Sequence, residues 1–159
     1  MLSFKIKPKT ILLLRELTKK LTKTQIAIES LEAEELEYIK RNVLISNIGA
    51  STRIENAVLT NSEIDWIDTA LTKDGKTTSF ANQREAIQDK LSKDKERSID
   101  EVVGCRAMLQ LIYQQASSLF PITEVTLRGL HKELLKYHAP DDYHSGGYKQ
   151  VPNLSLIHI

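Results

Sequence analysis

Apolar residues recur at the spacing of an α-helix along almost the whole chain, and this period limits the possible folds more than any other feature. In residues 98–119 the pattern is widest, which predicts a helix buried on more than one side. The sequence therefore predicts an all-α fold, a helical bundle. Shorter runs with the same period predict further helices at residues 9–23, 24–49, 64–71, 81–91 and 123–137.

Breaks in this period predict where the helices end. Gly49 either ends or bends the second helix, and a short segment, 50–59, follows it. Residues 72–80 predict a loop, because they contain an Asp-Gly turn signal. The charged stretch 92–98 is the expected junction between two subdomains. A short strand is expected to begin at Tyr148.

Composition indicates a soluble globular protein. The chain has 159 residues, 41% of them hydrophobic and 27% charged, which is enough for one domain with a core. A net charge of +1 leaves no basic excess for nucleic acid or an anionic membrane, so neither is expected as a partner. Cys105 is the only cysteine, which excludes an intrachain disulfide and fits a reducing cytoplasm. Neither a signal peptide nor a membrane span is expected, and we place the chain in the cytoplasm.

The residues alone indicate no catalytic site. His131 and His138 are seven residues apart, or roughly 10 Å along a helix, which is too far for one metal ion without other ligands. The turn at 145–147 lacks the Gly-Lys-Ser/Thr ending of a phosphate loop. The sequence contains no paired-cysteine metal motif and no Gly-x-Ser-x-Gly elbow.

The segment 46–62 carries the most informative polar residues. If it is helical, Ser51 and Glu55 lie one turn apart on one face, while Ile48, Ile54 and Val58 can pack. A carboxylate held in this way is either an ordinary solvated charge or a group that occupies a site meant for an anion. The residues alone leave both readings open.

Two stretches of the chain resemble the Fic family. Ser51-x-x-x-Glu55-Asn56 is similar to the inhibitory helix motif of that family, Ser/Thr-x-x-x-Glu-Gly/Asn. Residues 98–153 resemble the opening of the Fic core, through Leu130-His131-x-x-Leu134-Leu135 and the run Gly147, Tyr148, Lys149, Gln150, Val151 and Pro152. Two departures are Gly104-Cys105, where the family often has Asn-Tyr, and Lys149, where it often has Arg.

The resemblance implies a division of the chain into an N-terminal helical region, 1–97, with an inhibitory helix at 50–59, and the first part of a Fic core at 98–153. It implies a small β-hairpin flap that begins near Gly147, Tyr148, Lys149, Gln150 and Val151 and binds a target segment by strand addition.

The implied activity is transfer of AMP from ATP, with Mg²⁺, to a hydroxyl side chain of a target protein. Glu55 would pair with the arginine that binds the ATP γ-phosphate. Ser51 would brace the helix or hydrogen-bond nearby, and Asn56 suits the place where the helix tightens or ends. The catalytic His-x-Phe-x-Asp/Glu-Gly-Asn-Gly signature is not in this sequence. Whether this chain is itself an enzyme is therefore open, and we expect it to be inactive and to bind ATP and Mg²⁺ poorly.

Two other readings remain. The chain could be a non-catalytic, antitoxin-like helical module that supplies Glu55 to a partner Fic enzyme, or a helical bundle unrelated to that family. A homo-oligomer is left open. One back-translation of residues 154–159 matches a transposase adapter used in short-read sequencing, so we interpret this apolar tail as an artefact that cut the reading frame.

Overall fold

The structure is a computed structural model, and it describes residues 6–73, 76–138 and 145–148. The prediction of an all-α fold with a small hairpin is confirmed, because these residues form six α-helices and one two-stranded antiparallel hairpin. The elements are α1 (Pro8–Glu29), α2 (Ala33–Ile54), α3 (Asn61–Ala70), β1 (Thr72–Lys73), β2 (Lys76–Thr77), α4 (Phe80–Leu91), α5 (Glu96–Gln115) and α6 (Glu124–Leu135).

The chain divides into two compact units, residues 1–42 and 43–159. The first holds α1 and the beginning of α2, and the second holds the remaining elements. The charged stretch 92–98, expected to be a junction, lies within the second unit and contains a single 3-10 turn, Lys93–Lys95. The division at residue 97 that the resemblance implies stays a prediction.

Helix α1 of the first unit is longer than the sequence predicted. It begins with Pro8, which lacks the N–H that the first turn would leave unpaired, and it continues to Glu29. The expected boundary after residue 23 is wrong, because the helix continues through the threonines there. Thr22 and Thr24 donate their hydroxyls to backbone carbonyls one turn earlier, at 3.0 and 3.1 Å. No residue of α1 is buried.

The hydrophobic core of the second unit is built from α2 to α5. Ile48, Ile67, Ile99 and Val102 are completely buried, and Trp66 packs against this core from a half-buried position. Thr60 and Glu63 form a capping box at the start of α3. The other buried members of the core are Leu44, Ile45, Leu59, Ile64, Leu71, Phe80, Ile87, Val103 and Cys105.

A buried ion pair connects α3 to α5. The Nε atom of Arg106 lies 2.7 Å from Oδ1 of Asp68, and its Nη2 donates to the Thr72 hydroxyl at 2.9 Å. The two charged side chains are only 3% and 8% exposed. Removing one partner of such a pair is strongly destabilising, because the other charge is left buried without compensation. The pair thus fixes the position of the hairpin next to α5.

The hairpin of this fold is not the flap that the resemblance implied. It pairs Thr72 with Thr77 and Lys73 with Lys76, inside the stretch predicted as a loop. Of the expected flap, Gly147 and Tyr148 do not form a strand. Lys149, Gln150 and Val151 lie outside the described residues, as do residues 154–159.

Helix α6 packs on α5 through its C-terminal end. A Cβ atom on Gly104 would lie 2.0 Å from the Leu134 carbonyl oxygen, so only glycine allows this approach. The apolar residues in the first turn of α6 are not buried. Val125 and Leu127 are 80% and 56% exposed, because the close contact at Gly104 involves the far end of the helix.

Candidate functional site

Helix α2 ends at the motif that the sequence singled out, and Asn56 is the residue that ends it. Its φ of 66° is left-handed, a conformation that asparagine tolerates better than most residues. The Ala57 N–H donates to the Thr52 carbonyl at 3.0 Å, and the Asn56 N–H donates to the Arg53 carbonyl at 3.1 Å. These two bonds define a Schellman motif. The expectation that Asn56 lies where the helix ends is confirmed.

The boundaries expected for this helix, 50–59, are wrong at both ends. Gly49 lies inside α2, where a Cβ atom would be 2.5 Å from Oδ1 of Asn61. The glycine makes room for side chains rather than a turn, since Arg53 also donates to Asn61 at 3.0 Å. Because the helix stops at Ile54, Glu55 lies in the turn that follows it. Ile48 packs as expected, whereas Ile54 and Val58 are 79% and 62% exposed.

Ser51 and Glu55 nevertheless lie on the wall of one cavity in the second unit. This cavity has a volume of about 400 Å³ and is enclosed by the end of α2, the outer side of α5 and the last turn of α6. Asn56 does not line it. Its floor is apolar and its other lining groups are polar or charged; the lining residues are Ser51, Thr52, Glu55, Arg97, Glu101, Cys105, Met108, Leu134, Leu135 and His138.

Two carboxylates line the cavity, and their surroundings differ. Glu101 is held by Arg97, whose Nε atom donates to it at 2.8 Å, and its side chain is only 18% exposed. Glu55 is exposed, and among the described residues its carboxylate forms neither a hydrogen bond nor an ion pair. Such a carboxylate is available to a cation or to a hydrogen-bond donor that enters the cavity.

Cys105 at the cavity floor is an inert thiol. Burial raises the pKa of this thiol to about 11, and a hydrogen bond with the Ser51 side chain only partly offsets the rise. The thiol therefore stays protonated at neutral pH and is not a nucleophile.

Sequence reasoning missed a buried charge cluster on the neighbouring side of α5. Asp100 is 4% exposed and accepts from Nη2 of Arg84 at 2.7 Å, and Arg84 also contacts Glu96 at 3.2 Å. Burial raises the pKa of Asp100 to about 6, although Arg84 lowers it. Its Oδ1 atom has no hydrogen-bond partner among the described residues. The available signal was an aspartate next to Ile99 and Val102, two of the most apolar positions of the helix.

The described part of the expected flap is attached to α6. The Gly146 N–H donates to Nδ1 of His131 at 3.1 Å, and Nε of Arg128 donates to the Gly146 carbonyl. Gly146 has a φ of +69°, and a Cβ there would press on the Arg128 carbonyl at 3.2 Å. The guanidinium of Arg128 lies 5.9 Å from the Tyr148 ring centre. His131 thus holds the chain before the expected strand.

The described residues contain no cluster of three or more side chains suited to hold a metal ion. Over the same residues, every helix is too short or too polar to cross a lipid bilayer. Comparisons with protein-family models, with curated proteins and with solved structures found no match for this chain.

Proposed function

We infer that this chain is the N-terminal regulatory region and partial core of a Fic-type protein adenylyltransferase that acts in the cytoplasm. In the complete protein it would transfer AMP from ATP to a hydroxyl side chain of a target protein. One observation carries the proposal: Ser51 and Glu55, two of the three specified positions of the inhibitory motif, line one cavity together with residues of α5 and α6, and Glu55 has no partner among the described residues.

The mechanism assigned to these residues is inhibition. A guanidinium that enters the cavity would meet the free carboxylate of Glu55 and could form a bidentate pair with it. An arginine held in this way is not available to the γ-phosphate of ATP, and the phosphate would also face a like charge. The turn after α2 presents Glu55 directly before Asn56, whose left-handed conformation ends the helix.

ATP and Mg²⁺ would be held by residues that these 159 do not include. Neither a phosphate loop nor a three-ligand metal group occurs among the described residues, so no step of the transfer is assigned to them. The 159-residue chain is expected to transfer no labelled AMP to any protein, whatever the ATP concentration. Incorporation above that of a heat-denatured sample would contradict this expectation.

The inhibitory role is tested in the full-length gene by the substitution Glu55→Gly. We expect incorporation of labelled AMP to rise at least tenfold, because the carboxylate that competes for the arginine is removed. The matched control is Asn56→Gly, which introduces glycine at the adjacent position, outside the cavity and at a φ that glycine adopts readily. No rise with Glu55→Gly, or an equal rise with both variants, would contradict the proposal.

A second candidate function is an antitoxin-like module that acts in trans, and the exposure of Glu55 favours it. Here the 159-residue chain would inhibit a separate Fic enzyme that lacks its own inhibitory helix. Titrating the chain into such an enzyme should lower AMP transfer, and the Glu55→Gly chain should not. Inhibition that is equal for both chains would exclude a role for the carboxylate.

A further inference from the structure

Helix α1 carries a stripe of apolar side chains that are exposed to solvent. Leu14, Leu17, Leu21 and Ile28 recur at intervals of three, four and seven residues, the a and d positions of a coiled-coil heptad. They are 50%, 52%, 60% and 39% exposed. Ile11, Leu12, Leu13 and Ile26 of the same helix are also exposed, but they lie outside the a and d positions. Thr10 and Thr24 complete the a and d positions.

Thr24, the polar residue within the stripe, does not oppose burial. Its hydroxyl donates to the Lys20 carbonyl of its own helix at 3.1 Å. The donor is therefore satisfied without water, and the methyl group is free to face a neighbour. The stripe can pack along the full helix, which is about 33 Å for 22 residues.

The charges at the two ends of α1 have opposite signs. Lys7 and Lys9 are at the N-terminal end, whereas Glu29 and Glu32 are at the C-terminal end. The helix dipole adds partial charges of the same signs as these side chains, positive at the N-terminus and negative at the C-terminus. Two copies of α1 side by side in the same direction would bring like charges together at both ends. In opposite directions, each basic end would lie beside an acidic one.

We propose that α1 is a dimerisation helix and that its partner is α1 of a second copy of this chain, in antiparallel orientation. In the register with complete overlap, Leu17 lies opposite Leu21 of the partner helix, Leu14 opposite Thr24, and Thr10 opposite Ile28. Every a position then meets a d position. The contact is isologous, so that one stripe serves both copies and the assembly closes at two.

The mass of the 159-residue chain in solution tests this proposal directly. Light scattering after gel filtration at increasing concentration should give twice the monomer mass of 18.1 kDa. The substitution Leu21→Glu should shift the chain to the monomer, because each dimer would then bury two charged side chains between the two stripes. Leu12→Glu is the matched control, because Leu12 is equally exposed, at 60%, but lies outside the stripe. A monomeric wild-type chain, or a Leu21→Glu variant that stays dimeric, would overturn the proposal.

The orientation of the two helices is tested by cross-linking with a short bismaleimide, a reagent that joins two thiols. The only native cysteine, Cys105, is buried and its thiol is protonated, so it should not react. A mixture of Thr10→Cys and Ile28→Cys chains, whose thiols would lie opposite each other, should give a cross-linked heterodimer. The Thr10→Cys chain alone should give none, because its thiols lie at opposite ends of the dimer. Efficient cross-linking of Thr10→Cys to itself would overturn the antiparallel arrangement.

Discussion

At the scale of single residues, Asp100 has the surroundings least suited to its charge. It is buried beside Ile99 and Val102, and one of its oxygens lacks a partner among the described residues. Arg84 compensates the charge only in part, so the pKa of Asp100 rises to about 6. The folded protein thus binds a proton at pH 5 that the unfolded chain, with an aspartate pKa near 3.8, has released. The contribution of Asp100 to stability therefore falls as pH rises from about 4 to about 6.

The substitution Asp100→Asn should remove this decline. The amide keeps the size of the side chain and an oxygen for Arg84, but it has no charge to bury. We expect the free energy of unfolding of the variant, relative to wild type, to increase between pH 4 and pH 6 and to be constant above pH 7. Urea unfolding of both proteins at each pH measures this difference in free energy. The difference between the two proteins cancels the opposite contribution of Glu63, whose pKa is lowered to about 2 by the hydrogen bond from Lys95.

The matched control is Asp89→Asn, the same change at an exposed position of α4. It should leave the difference from wild type constant with pH. A constant difference for Asp100→Asn would show that the buried carboxylate does not control this part of the pH profile.

At the scale of elements, the helical period predicted where most helices lie but not how each one ends or faces. The caps at Thr60 and Thr123 were visible because their bonds are local. Gly49 was misleading, since its role is to make room for Asn61, a residue twelve positions away. The exposure of Val125 and Leu127 depends on where α6 contacts α5, and no local sequence pattern predicts that contact. Tertiary contacts decided both cases.

The same distinction holds for the cavity. Ser51 and Glu55 could be found from the sequence because they belong to one short motif. Met108 and Leu134, which face them, come from helices far along the chain, and only the fold brings them together.

The Schellman motif at the end of α2 leads to a prediction at this scale. Asn56→Ala should destabilise the second unit by about 1 kcal/mol, because alanine disfavours the left-handed conformation. Asn56→Gly should be nearly neutral, since glycine adopts it freely. Chemical denaturation of the three proteins measures the difference. Equal stability of the alanine and glycine variants would show that the conformation of residue 56 does not limit the end of this helix.

At the scale of the whole molecule, the described core belongs to one unit. Among the residues that the structure describes, every buried apolar side chain lies between Leu44 and Cys105, and none comes from α1. The first unit therefore contains helical residues, but its described part contributes no buried side chain to this core.

Removal of residues 1–32 tests this division. The chain 33–159 should unfold cooperatively, with a melting temperature within a few degrees of that of the full chain, because no described core residue is lost. Removal of residues 120–159 is the contrasting control. It deletes α6, whose Leu134 packs against the core, and should lower the melting temperature clearly. Calorimetry of the three chains measures both effects. A large loss of stability in chain 33–159 would contradict the division.

Trp66 gives the molecule an optical probe of one unit. It is the only tryptophan in the sequence, and it packs against the core in α3. Its fluorescence therefore reports the environment of the second unit, whereas helical circular dichroism sums over both. Unfolding followed by the two signals need not coincide, and a separate early loss of ellipticity at constant emission would be the spectroscopic signature of α1 melting by itself.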